Sequence, residues 1–468
     1  MSKKKTFVED IERTLYDIKN EDRPLYRTEE GLTEEIVRDI SVKKKDPAWM
    51  LEFRLHSLDV YNHTPMPTWG PDLSALDMDH IVTYVQPDAR MAGRWEDVPE
   101  DIRDTFDRLG IPEAEKTSLA GVGAQYDSEV VYHSVQESLR KKGVVYTDME
   151  TALREHEALV KEYFMKLVPP KDHKFVALHG AVWSGGSFVY VPAGVDVKIP
   201  LQSYFRLNAP GAGQFEHTLI IVEPGASLHF IEGCSAPKYN VTNLHAGCVE
   251  LYIKEGARLR YSTIENWSRN MMNLNTKRAL VEKDGIIEWV SGSFGSHVSM
   301  LYPASILHGE GARCEFTGVT FAGHGQHLDT GATVVHAAPH TSANISTRSI
   351  SKDGGVAVYR SAVKVAPGAD HARCSVSCES LMLDSESRAD TLPAMDIAGD
   401  EADIGHEAKI GRISDEAIFY LTSRGIREDE ARAMIVRGFV EPIAKALPLE
   451  YAVEMNNLIT IELEGTMG

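Results

Sequence analysis

The sequence predicts a mainly β protein, a β-solenoid held between helical ends. Three observations carry that reading. Apolar residues recur at helical spacing before about residue 170 and again after Lys409, but not between. In the middle stretch, short β-branched runs alternate with polar residues: Val195, Val197 and Ile199 against Asp196 and Lys198, or Val363 and Val365 against Lys364. Related corners punctuate that stretch, namely Pro192-Ala-Gly194, Glu223-Pro-Gly225, Lys254-Glu-Gly256, Lys283-Asp-Gly285, Gly309-Glu-Gly311 and Lys352-Asp-Gly354. From Gly194 to Gly311 the last glycines stand 31, 31, 29 and 26 residues apart. A loose repeat of that length builds rungs that bury their apolar side only by stacking. A β-sandwich gives similar alternation but does not require its turns to resemble one another.

Taken in order, residues 1–170 read as a mainly helical domain. Phe7, Ile11, Leu15 and Ile18 make one helical face, and Trp49, Phe53, Leu55 and Leu58 suggest another. Pro65, Pro67 and Pro71 break the pattern into an irregular connector. Further helices are expected near Glu129–Lys142 and Met149–Leu167, with Pro169-Pro170 as the boundary. Residues 171–410 form the solenoid, from about Phe175 to Lys409. Residues 411–468 return to helix: Ser414 is placed to cap a first one, Gly425 to stop it, Arg427–Phe439 makes a second and Glu450–Leu458 a third.

Composition bounds the function. The chain has 468 residues, 43% hydrophobic and 25% charged, as a soluble globular protein does. Its 49 basic against 69 acidic residues leave a net charge of −20, and a basic run such as Lys43–Lys45 is too short for a nucleic-acid footprint. No signal-like segment or membrane span is evident. The five cysteines, Cys234, Cys248, Cys314, Cys374 and Cys378, are an odd number with no CxxC pair. That fits reduced thiols in the cytoplasm rather than disulfides or a ready-made zinc site. With His406-Glu407 downstream, they offer the sulfur, imidazole and carboxylate that an iron–sulfur site uses.

Several segments carry a family resemblance. Gly121-VGAQYDSEVVYHSVQESL, Phe205-Arg-Leu-Asn208, Glu232-Gly-Cys-Ser-Ala-Pro237, Cys378-Glu-Ser-Leu381, Gly405-His-Glu-Ala408 and Phe419-Tyr-Leu-Thr-Ser-Arg-Gly-Ile426 together resemble the SufB/SufD family of iron–sulfur assembly scaffolds. The resemblance runs from about residue 20 to the end. It implies a right-handed parallel β-helix core, a complex with the ATPase SufC, and pairing with SufD or a second SufB-type copy. It implies sulfur delivered as persulfide by a cysteine desulfurase, often through a sulfur-shuttle protein. A nascent cluster, [4Fe-4S] or [2Fe-2S], would then pass to carrier apoproteins, and reduced flavin could join the complex.

The resemblance assigns residues to these steps. Cys234 is similar to the sulfur acceptor, and its place at a strand end or corner suggests the access that thiol–persulfide exchange needs. Arg206, Asn208, Glu265, Trp267 and Lys283 would line a sulfur path through the interior, where cations steady a persulfide anion. Family members often carry Gln where this chain has Glu265, and Lys283 reads equally well as an ordinary charge beside a corner. Cys378, His406 and Glu407 would hold the cluster at a scaffold–scaffold seam. Adjacent residues of a strand face opposite ways, so the last two share one metal only if Gly405 makes a turn. Cys248, Cys314 and Cys374 read as structural. The resemblance places SufC on residues 414–446. No phosphate-binding Gly-x-x-x-x-Gly-Lys-Ser/Thr loop exists in the sequence, so ATP hydrolysis would belong to the partner.

Two other readings compete with a non-enzymatic scaffold. A β-helix carbohydrate-active enzyme needs paired carboxylates, for which Asp329, Asp353 and Asp370 show no pairing pattern. A cupin-like metalloenzyme would use His324, His327, His336 and His340, but these lie among glycines without a well-placed carboxylate set.

Overall fold

The computed structural model describes residues 17–109, 111, 119–399, 401–445, 456–460 and 463. It is mainly β, with a parallel solenoid of about eight turns and helices at both ends. One ten-stranded sheet stacks Asp196–Arg206, Ser227–Ser235, Arg258–Asn266, Ile286–Phe294, Arg313–Ala322, Ser342–Ser351, Arg373–Met382 and Asp403–Arg412 in sequence order. A second sheet of thirteen strands, Val356–Val365 and Arg388–Ile397 among them, forms the other walls.

The repeated corners explain the stacking. Gly194, Gly225, Gly256 and Gly311 all take left-handed backbone angles (φ +70°, +67°, +63° and +72°), which glycine adopts without steric cost. At the Gly285 corner the left-handed residue is Asp284 (φ +53°) instead. Each corner donates to the next: Gly194 N to Pro224 O, Gly225 N to Glu255 O, Gly256 N to Lys283 O and Asp284 N to Glu310 O, at 2.8–2.9 Å. The repeat is therefore a column of turns joined by hydrogen bonds.

The same register aligns inward side chains into columns. Phe230, Tyr261, Trp289, Phe316, Ile345, Val376 and His406 occupy successive rungs. Two residues along, Glu232, Thr263, Ser291, Gly318, Thr347 and Cys378 do the same, and beyond them Cys234, Glu265, Ser293, Thr320, Ser349 and Ser380. One column is large and apolar, and its two neighbours are small and polar.

Three local expectations change. Glu129–Val135 is a strand antiparallel to Gly121–Tyr126, leaving helix only at Glu137–Arg140. Gly121–Tyr126 pairs in parallel with the solenoid strand Asp196–Arg206, so that hairpin extends the main sheet. Lys174–Val182, inside the expected β region, is a helix whose residues from Phe175 onward are all buried. Met149–Leu167 is two helices, Met149–Glu155 and Glu157–Tyr163, meeting at His156. The helical face at Trp49–Leu58 does lie on a helix, Ala48–His63. The helix expected over Phe7–Ile18 falls almost wholly outside the described residues.

At the far end, Ser414 Oγ accepts from Ala417 N at 3.2 Å and starts the helix Asp415–Thr422. Gly425 (φ +83°) follows it, and Glu428–Ala444 makes a longer helix. Of the third helix expected over Glu450–Leu458, residues 450–455 lie outside the described residues, while 456–460 are helical. Val436, Val440 and Ile443 pack against Val319, Phe321 and Ile350 on the outside of the solenoid.

Candidate functional site

Cys378 sits on the inward face of Arg373–Met382, one rung below the last strand of its sheet, and is 2% exposed. Its Sγ lies 3.8 Å from His406 Nε2 on Asp403–Arg412. Burial pushes the Cys378 thiol up to about 11, with a hydrogen bond from Thr347 opposing. Gly405 makes no turn. It pairs with Ser375 inside a continuous strand whose every residue has a partner on Arg373–Met382, and that ladder holds the chain extended. His406 therefore faces Cys378 while Glu407 points out, its side chain 63% exposed and 3.0 Å from Lys409 Nζ. The structure brings together the thiol and the imidazole, but not the carboxylate. Cys374 shares the inward face with Cys378, and Cys314 and Cys248 are also buried, none in a disulfide.

The last rung leaves open edges. Among the described residues, Asp403–Arg412 pairs only with Arg373–Met382, and Arg388–Ile397 only with Val356–Val365. Leu392, Met395, Ile397 and Ile410 are each more than 40% exposed there. Unpaired strand edges with apolar side chains invite another strand.

Cys234 is the penultimate residue of its strand, as expected, but it is not accessible. It is 1% exposed, packed with Val82, Phe205, Trp267 and Met271. Burial raises its thiol pKa well above the ordinary value, and Glu232, Glu216 and Glu265 raise it further, with Lys277 opposing. These charges form one buried string. His245 reaches both Glu216 and Asn273 (2.7 Å to Asn273), and Asn273 donates to Glu265 at 2.8 Å. Lys277 Nζ lies 3.7 Å from Glu265, donates to Glu232 at 2.9 Å and reaches Thr263 at 3.1 Å, while Tyr261 donates to Glu232. Three carboxylates share this string with a single lysine, so the interior opposes a resting thiolate at Cys234.

The other carried-over positions separate. Glu265 and Trp267 stand with Cys234; the Trp267 ring is 4.6 Å from that of His245. Arg206 neighbours Phe205 on the strand and faces the other way, where it donates to Ser235 Oγ at 3.0 Å and to Ile18 O at 2.6 Å. Asn208 lies in the following loop and accepts from Asn20 N at 3.1 Å. Lys283 is on the outer corner, its side chain 56% exposed and 3.8 Å from Glu255, so it lines no interior path. The interior cation is Lys277, which the sequence reading missed although it stands in phase with Ala279 and Val281 on an alternating strand. One internal cavity is lined by Glu265, Lys277, Ser291, Ser293, Thr320, Thr347 and Cys378, and so spans the rungs between the buried charges and the open-end thiol.

The rival sites do not assemble. His324 and His340 are exposed, the first against Asp353 O and the second stacked on His371, while buried His336 bonds Thr341. Asp329 is held by Arg360 (2.8 Å) and Tyr302 (2.9 Å).

The fold is a stacked-rung solenoid with an inward thiol beside an imidazole, and comparison with known proteins defines the class. Residues 205–439 match the family model for the SUF system FeS cluster assembly SufBD core domain, and residues 41–203 match the SufBD N-terminal region. The chain belongs to the SufBD family of iron–sulfur cluster assembly proteins. It is 50% identical, over 98% of its length and 99% of the relative's, to iron-sulfur cluster assembly protein SufB of Bacillus subtilis. It is 51% identical over the same shares to an iron-sulfur cluster assembly SufBD family protein of Staphylococcus saprophyticus. Among the described residues no helix is long and apolar enough to cross a membrane.

Proposed function

We propose that this chain is a non-enzymatic scaffold on which a nascent iron–sulfur cluster is built at the open end of the solenoid. The observation that carries the reading is the 3.8 Å approach of Cys378 Sγ to His406 Nε2 beside unpaired strand edges. Thiolate and imidazole suit iron, and two donors from one chain leave coordination to be completed across a seam. The apolar open edges suit SufD or a second SufB-type copy as the partner there. Glu407, on the outer face, would reach such a partner's side of the seam rather than the ion held by His406.

Sulfur would enter as persulfide on Cys234, from a cysteine desulfurase and its shuttle protein. Cys234 and Cys378 are separated by five rungs, about 24 Å at ~4.8 Å per rung, so no direct thiol-to-thiol exchange links them. The two small polar columns between them contain no further cysteine, so sulfur would leave the Cys234 persulfide as hydrosulfide when a two-electron reductant such as reduced flavin cleaves the S–S bond and returns the Cys234 thiol, and would then move along hydroxyl groups past Lys277. Because Cys234 is walled in, loading requires local opening, and work from a SufC-type ATPase would supply it. The region 414–446 divides in this respect: Glu428–Ala444 is committed to the solenoid, whereas Phe419 and Tyr420 are 73% and 57% exposed and offer the docking contact. Carrier apoproteins would collect the finished cluster.

Anaerobic reconstitution with ferrous iron and sulfide tests the cluster site. We expect a thiolate-to-iron charge-transfer absorbance that Cys378→Ala abolishes and Cys234→Ser leaves in place, since free sulfide bypasses the entry thiol. An unchanged absorbance in Cys378→Ala, with the circular dichroism of the folded chain retained, would overturn the assignment.

A further inference from the structure

The first turns of the solenoid hold another set of ligating side chains, far from the open end. His179 is on the helix Lys174–Val182, His217 begins the strand His217–Val222 and Cys248 begins Cys248–Ile253. Cys248 and His217 are register partners on adjacent rungs. All three are sealed from solvent, at 1% exposure or less. Cys248 Sγ and one nitrogen from each ring lie within 4.8 Å of one another.

The remote ring nitrogens give the set its direction. His179 Nδ1 is 3.0 Å from Ala246 O; a carbonyl can only accept, so Nδ1 carries the proton and Nε2 is bare. His217 Nε2 stands 3.3 Å from Glu250 Oε2, near enough for attraction but not aligned as a completed hydrogen bond. That carboxylate is fixed by the backbone N–H groups of Met165, Leu167 and Val168 at 2.5–2.9 Å. With its proton on the side of Glu250, His217 has a bare Nδ1, and this atom is 3.0 Å from the bare Nε2 of His179. Two facing lone pairs repel unless a cation lies against both. The alternative, a proton on His217 Nδ1, satisfies His179 but turns the Nε2 lone pair toward a carboxylate. An acceptor behind each ring, with the near nitrogens converging beside a thiol, is how protein surroundings orient histidine ligands.

We propose that His179 Nε2, His217 Nδ1 and Cys248 Sγ bind a zinc ion that staples the helix Lys174–Val182 to the first rungs. Two imidazoles and a thiolate suit zinc, which outranks ferrous iron at such donors. Around a tetrahedral zinc, ligand nitrogens sit about 3.3 Å apart and nitrogen and sulfur about 3.6 Å apart, so the sulfur needs to close by roughly an ångström at most. On binding, Cys248 releases its thiol proton to solvent, and no atom changes oxidation state. The thiolate and Glu250 together balance the dication. Phe164 lies against His217 with ring centroids 4.3 Å apart, and Trp183 closes the same side, so the ion is loaded as the chain folds.

The test uses the full chain carrying Cys234→Ser and Cys378→Ser, which removes the two thiols assigned to sulfur entry and to the cluster. Produced with zinc in the medium and purified without chelator, it should contain close to one zinc per chain by elemental analysis, released only on unfolding. Adding Cys248→Ala or His179→Gln should lower that content to about a tenth or less. Because those variants could misfold, the parent chain is also refolded with cobalt(II). A thiolate-to-cobalt absorbance, with one sulfur and two nitrogens in the X-ray absorption fit, supports the site without a ligand mutation. A parent chain that carries no zinc and gives no such band would overturn the proposal in favour of a shared proton. So would zinc retained after the loss of Cys248.

Discussion

At the early end of the solenoid Cys234 lies among buried charges, roofed by Trp267, Phe205 and Met271, with every neighbouring rung paired on both sides. At the late end Cys378 is equally hidden by area, yet only one further strand covers it, and that strand has a bare edge. The two thiols share a strand type, an inward orientation and parallel columns of one sheet. What differs is how much structure must move to reach them. Burial measured on a single residue misses this. The cost of exposure depends on whether the next layer is itself held from outside.

The charges sharpen the contrast most. Lys277 is buried between Glu232 and Glu265, and burial, which opposes its charge, is outweighed by these two carboxylates. Lys277→Met leaves both carboxylates buried without their cation, a change that costs about 3–5 kcal/mol. The same loss of one charge at the late end, Glu407→Gln, removes only an exposed contact with Lys409 and should change stability by about 0.5 kcal/mol or less. Urea unfolding of the two variants side by side measures the difference. Equal midpoints would mean that the early end is as loosely held as the late one.

A second charge at the early end acts in the opposite direction. Asp127 is buried, and burial lifts its carboxyl to about 6 although Ala209 and Asn208 donate backbone N–H groups to it at 2.9 and 2.7 Å. Its folded-state pKa is above the unfolded value, so the folded chain binds the proton more tightly and this group lowers stability as pH rises from about 4 to about 6. Asp127→Asn keeps the acceptor oxygen, and asparagine tolerates the left-handed backbone there (φ +52°). It should stabilise the fold by about 2 kcal/mol at pH 7, a gain that fades as pH falls through 6 and vanishes near 4. Denaturation midpoints across that range read the effect, and a pH-independent difference would contradict the buried-charge account.

The sequence exposed the solenoid because its corners need left-handed backbone, and glycine marks such positions. It exposed the capped helix at Ser414 for an equally local reason. The helix Lys174–Val182 was hidden because it is buried on every side from Phe175 onward, so no polar face betrays its period. The segment Glu129–Val135 fits either period over so short a run, and only its pairing with Gly121–Tyr126 decides for strand. Within the sites, Cys378 beside His406 was legible as a pair, but their geometry was not, since the strand around Gly405 is fixed by its neighbour's backbone. Lys283 and Lys277 differ by a single corner, and phase with Ala279 and Val281 was the available clue. His217 and Cys248 stand 31 residues apart, the same step as the first glycine corners, which place them on adjacent rungs. His179 joins them only through the fold of a helix that the sequence concealed.

Reactivity of the thiols themselves gives the smallest and most direct comparison. Alkylation needs a thiolate and a path. Burial pushes Cys378 up to about 11 and both Cys314 and Cys374 to about 12, and burial together with the surrounding carboxylates holds the Cys234 thiol well above its ordinary value. In the native chain at pH 8, Cys378 should therefore react with iodoacetamide about tenfold faster than Cys234, followed by peptide mass spectrometry over time. Ile404→Ser sharpens the test. Ile404 packs over Cys374 on the last rung, so loosening it should speed labelling of Cys378 and leave Cys234 unchanged. If Cys234 were labelled as fast as Cys378 in the parent chain, the early end would be no more closed than the late one. Sulfur could then enter without any opening motion, and the work assigned to a partner ATPase would have to be spent elsewhere.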